Sequence, residues 1–173
     1  MIPSPRQVQE AKGKFPFNQS TCILHNSSDS VSLQFLVTHL RDRLQQFTKI
    51  ETSMPDKVSG TCGSIILELL DQSANSPEDY EIRVSAEEVK VTGTYAGVIY
   101  GIETLCQLIR REGDAWYWPC QTLRDGPVMS WRSLMLDCSR HFLSKEFLLC
   151  CIDLMPRLKL NRRIIGIGPS DSL

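Results

Sequence analysis

The chain has 173 residues, of which 42% are hydrophobic and 23% charged, and its formal net charge is -1. This composition is typical of a globular protein, and its 10 glycines and 9 prolines exclude a collagen-like or broadly disordered chain. The chain has 19 basic and 20 acidic residues, so it lacks the excess of positive charge that a dedicated nucleic-acid binder needs. The length fits one average domain, or one domain joined to part of another.

Targeting signals are weak in this sequence. The first residues carry no apolar segment typical of a secretory signal, and no apolar run approaches the roughly 18 residues of a membrane-spanning helix. These features leave the compartment unknown, although the chain as it stands is expected to be cytoplasmic and without a membrane partner. The seven cysteines show no C-x-x-C pair or zinc-type spacing, so we expect buried thiols, with no metal and no cofactor; disulfides or a metal site are the alternatives.

The first part of the chain predicts a sheet with two helices. Residues 1–20 form an extended lead-in, followed by predicted strands at 21–25, 64–70, 80–84 and 89–93 and amphipathic helices at 31–47 and 95–111. The last two strands predict a hairpin. This order is typical of an α+β domain.

Two glycines and two histidines of this domain are candidates for functional residues. Gly97 and Gly101 share one face of the second helix, where glycine is costly, so we expect close backbone contact with the sheet. A phosphate loop is the weaker alternative, because the spacing matches no nucleotide-binding motif. His25 and His39 have no obvious partners and are expected to be surface or structural residues rather than ligands.

The last sixty residues predict a different arrangement. An aromatic strand at 116–120 and a turn at 125–127 precede an apolar strand at 130–137, a helix at 144–159 and a further strand at 164–167. Asp137, Arg140 and His141 follow the apolar strand directly, where α/β proteins place their sites. These three residues could equally form an ion-paired loop that positions the helix.

Two further interpretations concern this region. Arg132, beside Trp131, is either a stacked structural arginine or a donor fork for sugar hydroxyls or a carboxylate. Ser139 and His141 are too close in sequence for a catalytic dyad, and no nucleophile elbow is present. We therefore exclude a Ser-His-Asp hydrolase.

The run Trp131–Phe142 (WRSLMLDCSRHF) resembles the first barrel strand and loop of glycoside hydrolase family 20, the β-N-acetylhexosaminidases. Residues 125–127 are similar to the D-x-P lead-in of that family. Residues 96–108 are similar to its preceding helix, and residues 152–161 to its first barrel helix. The resemblance extends from residue 1 to about residue 161.

The resemblance implies two domains and a substrate class. Residues 1–125 would be a small α+β accessory domain, and residues 126–173 the start of a (β/α)8 catalytic barrel, truncated, with 162–173 not matching the family. The family removes terminal β-linked N-acetylhexosamines by a retaining mechanism in which the acetamido oxygen attacks the anomeric carbon. The partners of a complete barrel would be N-acetylhexosamine-containing glycans.

The resemblance also implies roles for individual residues. Arg132 would bind sugar hydroxyls, and Asp137, Arg140 and His141 would support the site loop. The general acid glutamate and its partner aspartate are expected beyond the end of this chain, so none of its own residues is predicted to be catalytic. We therefore expect an amino-terminal fragment that is inactive alone. Two departures from the family are Ser133 in place of a glycine and Pro156 inside a predicted helix.

Two other hypotheses stay open. One is a non-catalytic binding or scaffolding module built on the α+β domain, and the other is an unrelated small α/β enzyme that uses Asp137 and His141. An isolated strand and helix of a barrel would also leave apolar faces without partners, which predicts self-association. These faces lie around Leu134, Leu136, Phe147, Leu154 and Met155.

Overall fold

The computed structural model describes residues 3–26, 30–52, 63–71, 76–139 and 141–166. It divides into two compact units, one formed by Pro3–Pro127 and the other by the residues from Val128 onward. We name these the amino-terminal unit and the carboxyl-terminal unit.

A mixed sheet and two helices form the described part of the amino-terminal unit. The strands are β1 (Gln7–Phe17), β2 (Cys22–His25), β3 (Ser64–Leu69), β4 (Tyr80–Val84), β5 (Glu88–Gly93), β6 (Arg110–Glu112) and β7 (Ala115–Asp125), and the helices are α1 (Ser30–Thr48) and α2 (Tyr95–Leu108). The strand order is β1-β7-β4-β5-β3-β2, and β6 also pairs with β7. Strands β2, β3 and β5 run parallel, whereas β4 forms antiparallel pairs with β5 and β7. The predicted α+β class and the predicted hairpin are confirmed.

Strand β1 occupies the segment predicted as an extended lead-in. Only Phe15 and Phe17 are buried along it, so it lacks the alternation that marks most strands. Its pairing with β7 is interrupted by a bulge between Glu10 and Lys14. Gly13 lies in this bulge at φ +113°, a conformation that side chains other than glycine rarely adopt.

Trp118 links β7 to strand β1 and to helix α2. Its ring is fully buried, and it packs against Phe15 and Phe17 with ring centroids 6.0 and 5.1 Å away. Its Nε1 donates a hydrogen bond to the carbonyl of Leu105 on α2, at 2.8 Å. The two buried phenylalanines of β1 therefore attach this edge strand to the core.

Helix α2 lies unusually close to the sheet. A Cβ atom at Gly97 would lie 2.2 Å from the carbonyl oxygen of Asp79, and one at Gly101 would lie 2.6 Å from a methyl group of Val91. The close contact predicted from these two glycines is confirmed. The helix ends at Leu108 rather than at residue 111, because the following residues form β6 and pair with β7.

A buried charged cluster joins α1 to α2. The carboxylate of Glu103, whose side chain is 2% exposed, lies 2.9 Å from His39 Nε2 and accepts a hydrogen bond of 3.0 Å from Arg43 Nη2. Burial by itself raises the pKa of Glu103, but the hydrogen bond from His39 and the charge of Arg43 outweigh it, so this pKa lies below its usual 4.5. The structural interpretation of His39 is confirmed.

The carboxyl-terminal unit is a β-α-β arrangement. It contains β8 (Ser133–Asp137), α3 (Lys145–Leu154), a 3-10 turn (Pro156–Leu158) and β9 (Arg162–Gly166). Strands β8 and β9 are parallel, and the last pair in their register is Asp137 with Gly166. The predicted helix at 144–159 was too long, because a proline at 156 cannot continue an α-helix.

The apolar faces expected in this unit are only partly exposed. Phe147 is 49% exposed and Leu154 is 43% exposed, as predicted, and Leu134 and Leu136 are half-buried. Met155, by contrast, is buried, which corrects the expectation for this residue. The chain folds back around Met155, since its carbonyl accepts the N–H groups of residues 158 and 160.

Helices and cysteines of the described segments add two findings. No helix there is long and apolar enough to span a lipid bilayer. The six cysteines within these segments form no disulfide with one another.

We predict that Glu103→Ala strongly destabilises the amino-terminal unit. The substitution leaves Arg43 and His39 at the helix interface without their anion, and breaking a buried pair in this way costs about 3–5 kcal/mol. Urea unfolding followed by tryptophan fluorescence measures the loss. The matched control is Glu112→Ala, which removes an exposed partner of Lys14 and should leave the free energy of unfolding unchanged.

The same carboxylate should make stability depend on pH. Because the pKa of Glu103 is lowered in the folded state, its contribution is complete above the unfolded-state pKa and is lost as the pH falls through the folded-state pKa. We therefore expect the free energy of unfolding to fall below about pH 5. Glu103→Gln should make this decline shallower, and an unchanged slope would contradict the assignment.

Candidate active-site edge

The carboxyl end of β8 begins with a tight turn built by Asp137. Its Oδ1 accepts hydrogen bonds from the backbone N–H of Ser139, at 2.9 Å, and from the Ser139 hydroxyl. The N–H of Cys138 donates to the carbonyl of Gly166 at 3.0 Å, so the first loop residue is still tied to β9. Asp137 therefore holds the start of the loop in a defined conformation.

Both parallel strands end at this edge of the small sheet. A Cβ atom at Gly166 would lie 3.1 Å from Asp137 Oδ1, so a larger residue there would crowd the carboxylate. In α/β proteins, sites form where the carboxyl ends of neighbouring parallel strands meet. We name this region, formed by residues 137–139, residue 141 and Gly166, the carboxyl edge.

The structure shows the surroundings of two of the predicted loop residues. Asp137 accepts hydrogen bonds from Ser139, and His141 is exposed. Arg140 lies outside the described residues. The roles of Asp137, Arg140 and His141 as supports of a site loop therefore stay predictions, and the hypothesis of a small enzyme built on Asp137 and His141 gains no support.

Arg132 lies at the opposite end of β8, one residue before the strand begins. Its Nε donates to the carbonyl of Lys159 and its Nη1 to the carbonyl of Met129, each at 2.7 Å. Its sugar-binding role stays a prediction, and the structure gives these two nitrogens backbone carbonyls as partners. Arg132 and Asp137 therefore lie at opposite ends of β8, as the strand predicted from the sequence had indicated.

A groove of about 720 Å³ crosses the polar face of the large sheet. Its walls carry balanced charges, since Glu81 pairs with Arg83 and Arg124, and Glu68 pairs with Lys90 at 3.0 Å. Each of these two carboxylates therefore has a basic partner within the groove. Within the described ranges, no group of three or more His, Cys, Asp or Glu side chains could hold a metal ion.

Two site contacts escaped the sequence analysis. The bond between Asp137 and Ser139 had a readable signal, because an aspartate two residues before a serine is typical of an Asx turn. The hydrogen bond from the Arg132 N–H to Asn161 Oδ1 had no readable signal in the sequence. The two residues are distant in sequence and come together through the parallel pairing of β8 and β9.

Comparison with known families identifies the relationship. The model of glycosyl hydrolase family 20, domain 2, matches residues 1–126, and the model of the glycosyl hydrolase family 20 catalytic domain matches residues 129–167. The first match alone covers more than half of the sequence. The chain belongs to glycosyl hydrolase family 20. The second match runs beyond Asn161, where the resemblance was expected to end.

Individual relatives agree with this membership. A β-hexosaminidase of Porphyromonas gingivalis is 27% identical over 170 residues, covering 94% of this chain and 22% of the relative. The β-hexosaminidase subunit alpha of Bos taurus is 33% identical over 91 residues, covering 51% of this chain and 17% of the relative. The structure of the family 20 β-N-acetylhexosaminidase from Streptomyces coelicolor A3(2) has a TM-score of 0.82 at 28% identity, covering 95% of this chain and 34% of that one. The chain spans about a third or less of each relative.

We predict that Asp137→Ala loosens the carboxyl edge. The substitution removes the acceptor of the Ser139 N–H, which contributes about 1 kcal/mol. Hydrogen exchange at the Ser139 amide should accelerate accordingly. Asp137→Asn keeps a side-chain oxygen and should retain most of the protection, and Asp153→Ala on the exposed face of α3 is the matched control. Equal exchange in Asp137→Ala and in the unaltered chain would contradict the turn.

Proposed function

We propose that the chain forms the accessory domain and the first barrel elements of a β-N-acetylhexosaminidase that removes terminal β-linked N-acetylhexosamines. The observation that carries this proposal is the order of the two family matches, accessory domain first and catalytic domain second. The parallel β-α-β arrangement from β8 to β9 supports it, because such units build a (β/α)8 barrel. We assign residues 1–125 to the accessory domain and residues 126–173 to the start of the barrel.

The proposed reaction is retaining and substrate-assisted. The 2-acetamido oxygen of the substrate attacks the anomeric carbon, the glycosidic bond breaks, and a glutamate protonates the departing oxygen. An aspartate directly before that glutamate orients the acetamido group in the family. The sequence contains no aspartate followed directly by a glutamate. In this proposal the chain therefore supplies part of the scaffold rather than the catalytic pair, and alone it is inactive.

The carboxyl edge is the part of the chain that we place nearest the sugar. Its support is positional, since catalytic and binding residues of (β/α)8 enzymes come from the carboxyl ends of the strands. Asp137 fixes the turn there, and Arg140 and His141 follow in the same loop. The role implied for Arg132 has weaker support, because its Nε and Nη1 bind carbonyls at the other end of β8.

A non-catalytic binding module is the less favoured alternative. Its candidate surface is the groove on the polar sheet face, which has paired charges. The named relatives are hexosaminidases, and this favours the glycosidase proposal.

We predict that the purified 173-residue chain does not release the chromophore from an aryl β-N-acetylglucosaminide. The reason is the lack of an adjacent Asp-Glu pair in the sequence. The Streptomyces coelicolor enzyme is the positive control. Turnover that survives repurification of the chain and disappears on heat denaturation would contradict this prediction. It would show that the chain itself supplies the catalytic groups.

Sugar binding separates the two hypotheses. N-acetylglucosamine titrated into isotopically labelled chain should shift the amide resonances of residues 137–141, because we place the sugar at this edge. Galactose, which lacks the acetamido group, is the control sugar. Shifts confined to Glu81, Arg83 and Arg124 would favour the binding module, and the absence of any saturable shift would count against the proposed site.

We also predict self-association through the carboxyl-terminal unit. No residue of α3 is buried, and Phe147 and Leu154 expose much of their apolar surface. Size-exclusion chromatography with light scattering should detect oligomers, and the double variant Phe147→Gln/Leu154→Gln should shift the chain towards monomer. Phe35→Gln is the matched control, since Phe35 is exposed to a similar degree, 55% against 49% for Phe147, but lies on α1. A monomer at every concentration would contradict this prediction.

A further inference from the structure

The groove on the polar face of the large sheet is crossed by rows of charged side chains. Glu81 on β4 lies opposite Arg124 on β7 and opposite Thr92 on β5. Two positions further along β4, Arg83 lies opposite Lys90. Cross-strand partners and residues two apart on one strand share a face, so these side chains all project from the same side of the sheet. The groove, at about 720 Å³, has a volume typical of ligand pockets, roughly 300–1,000 Å³.

Basic and acidic side chains of this groove differ in exposure. The arginines that line it are all exposed, namely Arg6, Arg83 and Arg124. The carboxylates that line it are all half-buried or buried, namely Glu68, Asp79, Glu81 and Asp125. The side chains of Arg83 and Arg124 are 63% and 60% exposed, against 19% for Glu81. The formal charges balance, but the surface that a ligand would meet is mainly positive.

Glu81 holds two of the exposed arginines side by side. Its Oε1 accepts a hydrogen bond from Arg83 Nε, and its Oε2 accepts one from Arg124 Nε. Burial by itself raises the pKa of Glu81, but the hydrogen bonds from Arg124 and Arg83 outweigh it, so this pKa lies below its usual 4.5. A guanidinium has five N–H donors, and the contact with Glu81 uses one from each arginine. Two guanidinium groups are thus fixed in place with donors left for another anion.

Lys90 adds a third cation to the same surface. Like charges directly opposite each other on neighbouring strands destabilise a sheet, and Arg83 and Lys90 are paired in this way. The Nζ of Lys90 lies 3.0 Å from Glu68 Oε2, which offsets part of the repulsion. Arg83, Arg124 and Lys90 therefore share two carboxylates, and one positive charge of this group has no counterpart within it.

We propose that this groove binds an acidic saccharide through its sulfate or carboxylate groups, with the guanidinium groups of Arg83 and Arg124 as the main ligands. The planar N–H donors of arginine match the paired oxygens of such anions, and Lys90 contributes a further charge. The groove belongs to the amino-terminal unit, so it would retain a glycan rather than cleave it. The choice of a saccharide as the carrier of the anionic groups rests on the proposed function.

Calorimetric titration of the complete 173-residue chain with a heparin-derived hexasaccharide tests this site. Arg124→Gln should weaken binding about tenfold, and Arg83→Gln/Arg124→Gln about a hundredfold, because hydrogen bonds from charged donors to anionic oxygens are lost. Arg124→Lys keeps the charge but not the planar fork, and its affinity should lie between those of Arg124→Gln and the unaltered chain. Arg110→Gln is the matched control, since it removes an exposed arginine on β6 outside the groove and should bind like the unaltered chain.

Other probes define the chemistry of the ligand. Chitohexaose is neutral and should bind at least about tenfold more weakly than the sulfated saccharide, because it offers the arginines no anion. A desulfated heparin hexasaccharide retains its carboxylates and should bind with intermediate affinity. Undetectable binding of the sulfated saccharide, equal binding of chitohexaose, or an equal loss in Arg110→Gln would each overturn the proposal. Equally tight binding of a single-stranded DNA of the same charge would show a general polyanion surface and would also overturn it.

Resonance mapping in the unaltered chain gives a second measurement that does not depend on the folding of a variant. The sulfated saccharide should shift the amide resonances of residues 81–83, 90 and 124. Saturable shifts that leave these residues unchanged would place the ligand elsewhere and would contradict the assignment.

An N-acetylglucosamine titration keeps this site distinct from the proposed function. This neutral sugar should leave the resonances of the groove unchanged. If it also shifts no resonance at residues 137–141, while the sulfated saccharide shifts the groove, the anion site stands and the sugar site at the carboxyl edge fails. If N-acetylglucosamine shifts the carboxyl edge and the sulfated saccharide shifts nothing in the groove, the proposed function stands and the anion site is overturned.

Discussion

The close approach of α2 to the sheet is the constraint on which the amino-terminal unit depends. Gly97 and Gly101 let the helix backbone reach the chain at Asp79 and the side chain of Val91. At this distance nine residues of the helix become buried, and Glu103 is among them. A carboxylate there cannot remain ionised without partners. Helix α1 therefore covers the sheet and also supplies His39 and Arg43 as partners for Glu103. These partners are needed because the position of α2 buries that carboxylate.

The carboxyl-terminal unit is held together by a different kind of interaction. Parallel sheets are normally covered on both faces, yet no residue of α3 is buried and the described sheet has two strands. Side-chain hydrogen bonds fix the backbone at both ends of β8. Arg132 makes them at the amino end and Asp137 at the carboxyl end. The larger unit thus depends mainly on apolar packing, and the smaller one on polar contacts that need little buried surface.

The elements that could be predicted from the sequence are those whose signals are local. Apolar residues recur every three or four positions in α1 and alternate with polar residues in β4 and β5, because each element buries one face. All three elements were predicted from these patterns. β1 was missed because only two of its residues are buried, and its strand character comes from β7. At the candidate site, the resemblance of residues 131–142 predicted a site loop after β8, which stays a prediction, but it gave no signal for the partners of Arg132. Those depend on Lys159, whose position is set by the turn after α3 and by the return of β9.

The bulge of β1 has a consequence for how this protein meets other chains. An outer strand with unused N–H and C=O groups is a template for strand addition, and bulges, lysines and prolines along it make such addition unfavourable. β1 carries the bulge at Gly13 together with Lys12, Lys14 and Pro16, and the opposite border, β2, is only four residues long. The large sheet is thus a poor seed for fibres. Any growth by strand addition would instead involve β8 and β9, which within the described residues pair only with each other.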